Sequence, residues 1–146
     1  MHVLLASDAQ WVVDEVVAAL GGPETSFTVC RNGRDVTDVV KARTPDLAIL
    51  DLQSGSMGGM AVTMNLRLDE SSGALPHVPV LMLLDRTADV FLARRSGAEG
   101  WLIKPLDALK IQRAVDAILN PPPVAEPEIT DETDAETAEE ETVSAG

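Results

Sequence analysis

The chain has 146 residues, with 24 Asp and Glu against 11 Lys and Arg, a length that supports one domain with a sizeable core. Cys30 is the single cysteine, so no internal disulfide can form, and with only His2 and His77 beside it there are too few ligands for a structural zinc site. No apolar run approaches a membrane span and the N-terminus lacks the basic and long apolar stretches of a signal peptide, so a soluble, cytoplasmic protein is expected.

Val3 to Ala6 is a short apolar run ending at Ser7-Asp8 and predicts a first buried strand, with Asp8 placed to cap the first helix. Val12, Val13, Val16, Val17 and Leu20 recur at helical spacing until Gly21-Gly22-Pro23 stops them. Phe27 to Cys30 predicts a second strand, Asn32-Gly33 a turn, and Val36, Val39, Val40 and Ala42 a second helix that ends before Thr44-Pro45. Leu47 to Leu50 carries no polar side chain and reads as a fully buried third strand, with Asp51 where it would emerge and a Gly/Ser loop, Gln53 to Gly59, after it. Met60 to Leu68 predicts a third helix. Val78 to Leu84 is a fourth strand with Pro79 at its start, where a missing donor costs least. Thr87 is placed to cap a fourth helix over 88–95 that ends at Gly97. Glu99 to Ile103 is a brief fifth strand followed by Lys104-Pro105, and Asp107 caps a last helix with Ile111, Ala114, Val115 and Ile118 on one face.

Residues 121–146 differ in kind. They open on three prolines and hold 9 acidic residues with no Lys or Arg. Such a segment cannot bury enough surface to offset its ordering entropy, so a disordered acidic tail is expected after a globular domain over 1–120. It serves either as a solvated tail or as a docking segment for a basic partner. Removing those 9 leaves 15 acidic against 11 basic residues in the body, a net charge of −4 that carries no electrostatic footprint for nucleic acid.

Five apolar strands alternating with five helices predict an α/β fold, a parallel sheet covered on both faces, and the flavodoxin-like (βα)5 strand order 2-1-3-4-5 is the common one at this size. Ligands of such sheets sit beyond the carboxyl ends of the strands, at the switch point between strands 1 and 3. Topology alone therefore brings Asp8, Asp51 and Lys104 toward one crevice. The plainer role for an isolated Asp51 is to cap the next turn, for Asp8 to cap a helix, for Lys104 to be a surface lysine and for Trp101 to fill the core. Converging carboxylates repel, however, and a hard divalent cation resolves that; Mg²⁺ takes one or two carboxylates, keeps waters and binds phosphoryl oxygens. A carboxylate beside such a cation and a lysine can act as a nucleophile toward phosphorus.

Asp8, the run Pro45 to Asp51, Met57 with Gly59, Gly97-Ala98, and Trp101-Leu102-Ile103-Lys104-Pro105 together resemble the receiver domain of two-component response regulators, over residues 2–119. The resemblance implies that Asp51 is the phosphoacceptor and that Asp8 is the second of two acidic metal-site residues. It implies a backbone carbonyl of Gln53 completing a Mg²⁺ site, Lys104 paired with the phosphoryl group, a cis bond before Pro105, and Trp101 in place of the aromatic switch residue. It further implies a phosphoryl donor that is a histidine kinase or a phosphotransfer protein, and a phosphoacceptor with at most slow self-dephosphorylation rather than an enzyme.

Two residues depart from that family's pattern. Ser7 stands where the first acidic residue belongs, and by analogy with second-shell losses roughly 10- to 100-fold weaker metal binding is expected. Leu84 stands where a Thr or Ser ends strand 4; leucine has no donor, and a hydrogen bond to a charged group contributes roughly 1.5–3 kcal/mol, as large as a typical allosteric coupling of about 1–3 kcal/mol. Ser54, Gly55 and Gly58 replace the usual Met-Pro and Asp of the loop after the acceptor, which predicts a looser loop.

The expected function is a stand-alone receiver phosphorylated on Asp51 that acts by protein–protein contact, since no output domain follows residue 119. The fourth helix, fifth strand and fifth helix form the expected interface for a downstream protein or a homodimer. The alternative is a pseudo-receiver, the same fold serving as a phosphorylation-independent interaction module, which Ser7 and Leu84 both favour. A flavodoxin-type ligand binder is disfavoured because Ser7 to Trp11 has no glycine or hydroxyl run to cradle phosphate. A hydrolase working through an aspartyl phosphate lacks a second Asp at close spacing after Asp51.

Overall fold

The strand and helix periods of the sequence are both visible in how the side chains sort. In the computed structural model, which describes residues 1–53 and 57–121, five parallel strands alternate with five helices. They are β1 (His2–Ala6), α1 (Gln10–Leu20), β2 (Ser26–Cys30), α2 (Val36–Ala42), β3 (Leu47–Asp51), α3 (Gly59–Ser71), β4 (Val80–Leu84), α4 (Val90–Ser96), β5 (Gly100–Ile103) and α5 (Ala108–Leu119). Short 3₁₀ turns at Gly33–Asp35 and Thr87–Asp89 lead into α2 and α4. The sheet order is β2-β1-β3-β4-β5, all neighbours parallel. This is the flavodoxin-like order expected from the alternation.

Because successive strand residues face opposite ways, the buried strands feed two layers. Val3, Leu5, Leu47, Ile49, Leu81 and Leu83 pack with Val12, Val16, Ile111 and Val115 of α1 and α5. Leu4, Ala6, Ala48, Leu50 and Val80 pack with Val36, Val40, Val62 and Leu66 of α2 and α3. β1, β3 and β4 are buried along their whole length, which is why they read as unbroken apolar runs rather than alternating ones. Each fully buried aliphatic side chain here contributes about 1.5–3 kcal/mol. A third cluster, Leu52, Met82, Leu84 and Ala93, closes the α4 end, with Trp101 and Ile103 packed partly buried against it.

Boundaries follow local chemistry. Asp107 caps α5 by accepting from the Lys110 N–H at 2.8 Å, and Gly97 ends α4 at φ +89°, a left-handed conformation that glycine adopts without strain. Two expected caps differ. Asp8 is not the N-cap of α1: Ala9 is, without a side-chain cap bond, and the Ala9 N–H goes instead to Ser7 Oγ at 3.1 Å. Thr87 sits inside the 3₁₀ turn, where Asp89 accepts from the Arg86 N–H at 3.1 Å and does the capping. Of the expected acidic tail over 121–146, residues 122–146 lie outside the described residues.

Candidate functional site

Parallel register sets the site. Ala6 lies opposite Leu50, Asp51 opposite Leu83 and Leu84 opposite Ile103, so Ser7, Asp8, Asp51, Asp85 and Lys104 all leave the sheet at its carboxyl edge. The start of α3 is drawn close to that edge by Gly59, where an added Cβ would come 2.9 Å from the Asp51 carbonyl oxygen.

Asp51 is 1% exposed. A carboxylate so buried is costly unless paired and hydrogen-bonded, and both of its oxygens are supplied. Lys104 Nζ donates to Oδ1 at 2.8 Å, the Gln53 backbone N–H donates to the same oxygen at 3.3 Å, and Ser7 Oγ donates to Oδ2 at 2.9 Å. Lys104 is itself held three ways: by Asp51, by Asp85 Oδ1 at 3.0 Å, and by the Trp11 ring, whose centroid lies 5.6 Å from the ammonium. Burial disfavours the charged lysine, but the bonds to Asp51 and then Asp85 outweigh it and hold the ammonium above its ordinary pKa. The Lys104–Pro105 peptide bond is cis.

Of the residues singled out from sequence, Asp51 and Lys104 are in direct contact, and Gln53 reaches Asp51 through its backbone N–H. Asp8 is exposed at the end of β1. Leu84 is fully buried and shares an apolar cluster with Trp101, whose ring lies 5.4 Å from the Arg94 guanidinium carbon. Asp85 and Trp11 were missed. Asp85 had a signal, being a carboxylate at the carboxyl end of a strand beside β3, the same criterion that singled out Asp51; the Trp11 contact is purely tertiary.

The donor chemistry suits a hard cation in kind, with the Asp51 carboxylate at the carboxyl edge of the sheet and Asp8 leaving the same edge. It is sparse: no group of three or more His, Cys, Asp or Glu that could hold a metal occurs among the described residues. Two hollows of about 410 Å³ lie elsewhere, one at the amino edge of the sheet beside His2, Arg43 and Asp46, the other between α3 and α4 beside Met64 and Leu68. The Asp51 carboxylate is bonded by its own lysine and hydroxyl, and that chemistry marks the site.

A buried, lysine-paired aspartate ending the third strand of a 2-1-3-4-5 sheet defines a class of signalling domain. Residues 3–116 match the response regulator receiver domain, and the chain belongs to that family. Protein PilH of Pseudomonas aeruginosa is 24% identical over 118 residues, covering 81% of this chain and 97% of that protein. The transcriptional regulatory protein CseB of Streptomyces avermitilis is 29% identical over 120 residues, covering 81% of this chain and 48% of that one; the chain thus spans about half the length of CseB. Among solved structures, the receiver domain of the sensor histidine kinase PA1611 of P. aeruginosa superposes with a TM-score of 0.67 at 20% identity, over 81% of this chain and 96% of that one, and holds a magnesium ion in its active-site cleft. No described helix is long and apolar enough to cross a membrane.

Proposed function

We propose that this chain is a cytoplasmic receiver that accepts a phosphoryl group on Asp51 from a histidine kinase or a phosphotransfer protein and signals through protein contact. The observation that carries the reading is the Lys104 ammonium, 2.8 Å from an oxygen of a carboxylate that is 1% exposed, at the carboxyl edge of the sheet. Burial at that depth without a catalytic use would be an expensive way to cap a turn.

In the transfer, one Asp51 oxygen attacks the phosphorus of a phosphohistidine. The O–P bond forms as the N–P bond breaks, and the bonding pair returns to the imidazole nitrogen. Lys104 offsets the charge spread over the transferring oxygens, while the Gln53 N–H holds the carboxylate plane. Asp8, Asp51 and the Gln53 carbonyl would hold Mg²⁺, which when bound neutralises phosphoryl oxygens.

The output surface in this reading is α4, β5 and α5, where Phe91 is 61% exposed and Arg94 and Arg95 lie over the Trp101 and Phe91 rings. A downstream protein or a second copy of the chain binds there. The test is incubation with a small phosphodonor and Mg²⁺, read on a phosphate-affinity gel. One added phosphoryl group that Asp51→Asn abolishes is expected; no label, or label that survives Asp51→Asn, overturns the reading. An Asp51→Asn variant that kept full partner binding would turn it toward the phosphorylation-independent module.

A further inference from the structure

We propose that Ser7 is a hydroxyl latch on the acceptor: it competes with a divalent cation for Asp51 Oδ2 and keeps the resting crevice closed without metal. This rests on Asp51 being the centre of the site, and it goes beyond the loss of a charge at position 7. A serine in place of an acid does not merely leave a gap in the donor set. It supplies a proton donor to the oxygen that a cation would otherwise take.

Among the described residues, Asp51 Oδ1 already carries two donors, Lys104 Nζ and the Gln53 N–H, whereas Oδ2 carries one, the Ser7 hydroxyl at 2.9 Å. Oδ2 is therefore the oxygen with room for a cation. Ser7 is 0% exposed and its orientation is set from behind, because its oxygen accepts the Ala9 N–H at 3.1 Å while its proton goes to Asp51. That N–H bond points the lone pair toward the backbone and the hydroxyl proton at the carboxylate. A cation bound to Oδ2 would have to face this proton or displace it, and the displaced hydroxyl has no second acceptor among its described partners. Metal binding and the Ser7–Asp51 bond thus oppose each other, and by linkage each weakens the other.

The measurement is an NMR titration with Mg²⁺ on the full chain, following the Ala9 and Gln53 amides. Ser7→Ala removes the latch with little change of volume and is expected to bind Mg²⁺ about tenfold more tightly, the size of one hydrogen bond to a charged acceptor. Equal or weaker binding by Ser7→Ala overturns the proposal, since the hydroxyl would then be a bystander or itself a ligand. In the unaltered protein, Mg²⁺ should move the Ala9 amide together with Gln53, because the hydroxyl turns as it loses Asp51; a shift at Gln53 alone overturns the latch even if Ser7→Ala does not fold. Phosphodonor labelling of the same samples is read separately. Absent label counts against the acceptor role of Asp51, and the cation titration stands or falls by itself.

Discussion

Asp51 is held by hydrogen bonds from Ser7, Gln53 and Lys104, whereas Leu84, at the end of the neighbouring strand, is held by apolar packing with Leu52, Met82 and Ala93. Both residues are almost wholly buried, yet the two environments respond to different things. Hydrogen bonds and ion pairs are directional and change sharply when charge arrives. Dispersion and hydrophobic burial are not directional, and a new phosphoryl group gives a leucine nothing to reach for. In the proposed function, the comparison separates accepting a phosphoryl group from reporting it: the first region is held by charge and hydrogen bonds, the second by apolar packing.

The largest effect should come from Asp51→Asn, which removes the proposed nucleophile and should abolish labelling by a phosphodonor, as read by intact mass. Lys104→Met should come next. It leaves the 1%-exposed Asp51 carboxylate without its cation, a loss of about 3–5 kcal/mol when a buried pair is broken, measured as a fall in the urea midpoint at neutral pH. Since the folded-state pKa of Lys104 is raised, its contribution is present below about pH 10.5 and lost as pH rises through that raised value. Alkaline unfolding should therefore lose one titrating step in Lys104→Met, and an unchanged profile would remove Lys104 from the acceptor region.

Leu84→Thr tests the other side of the comparison. Trading a fully buried leucine for a smaller polar residue should cost about 2–3 kcal/mol. It should also make the Trp101 indole resonance respond to a beryllofluoride phosphoryl mimic more than in the unaltered chain. Equal responses in the two proteins would mean that the route to Trp101 does not run through residue 84. The smallest effect is expected from Asp85→Asn: the carboxylate is 41% exposed, so its bond to Lys104 contributes under about 1 kcal/mol, and a larger loss in chemical denaturation would make Asp85 a full member of the acceptor region.

Strand order and the convergence of Asp51 with Lys104 were legible because buried parallel strands write themselves as apolar runs, and because the carboxyl edge of such a sheet is where charged residues meet. What sequence could not convey was who bonds to whom. Ser7 reads as an absent charge, but in three dimensions it is a donor to Asp51. Asp8 reads as a helix cap, yet the Ala9 N–H that begins α1 is taken by the Ser7 oxygen one position nearer the sheet. Trp11 carries no signal in the sequence, and only the fold shows it 5.6 Å from the Lys104 ammonium. The Ser7–Asp51 and Trp11–Lys104 partners are tertiary, which no local pattern encodes, whereas the Ser7–Ala9 bond is a local one that the sequence offers as an alternative to Asp8.

The chain has two tryptophans and no tyrosine, and they fall one on each side of the divide: Trp11 over Lys104 and Trp101 beside the Leu84 cluster. Its near-ultraviolet emission is therefore a two-channel optical record of the domain with no tyrosine background. A Trp11→Phe protein glows only from the β5 side and a Trp101→Phe protein only from the crevice beside Asp51, so stopped-flow fluorescence of the pair can time the proposed arrival of a phosphoryl group separately from any change beside β5, without attaching a dye.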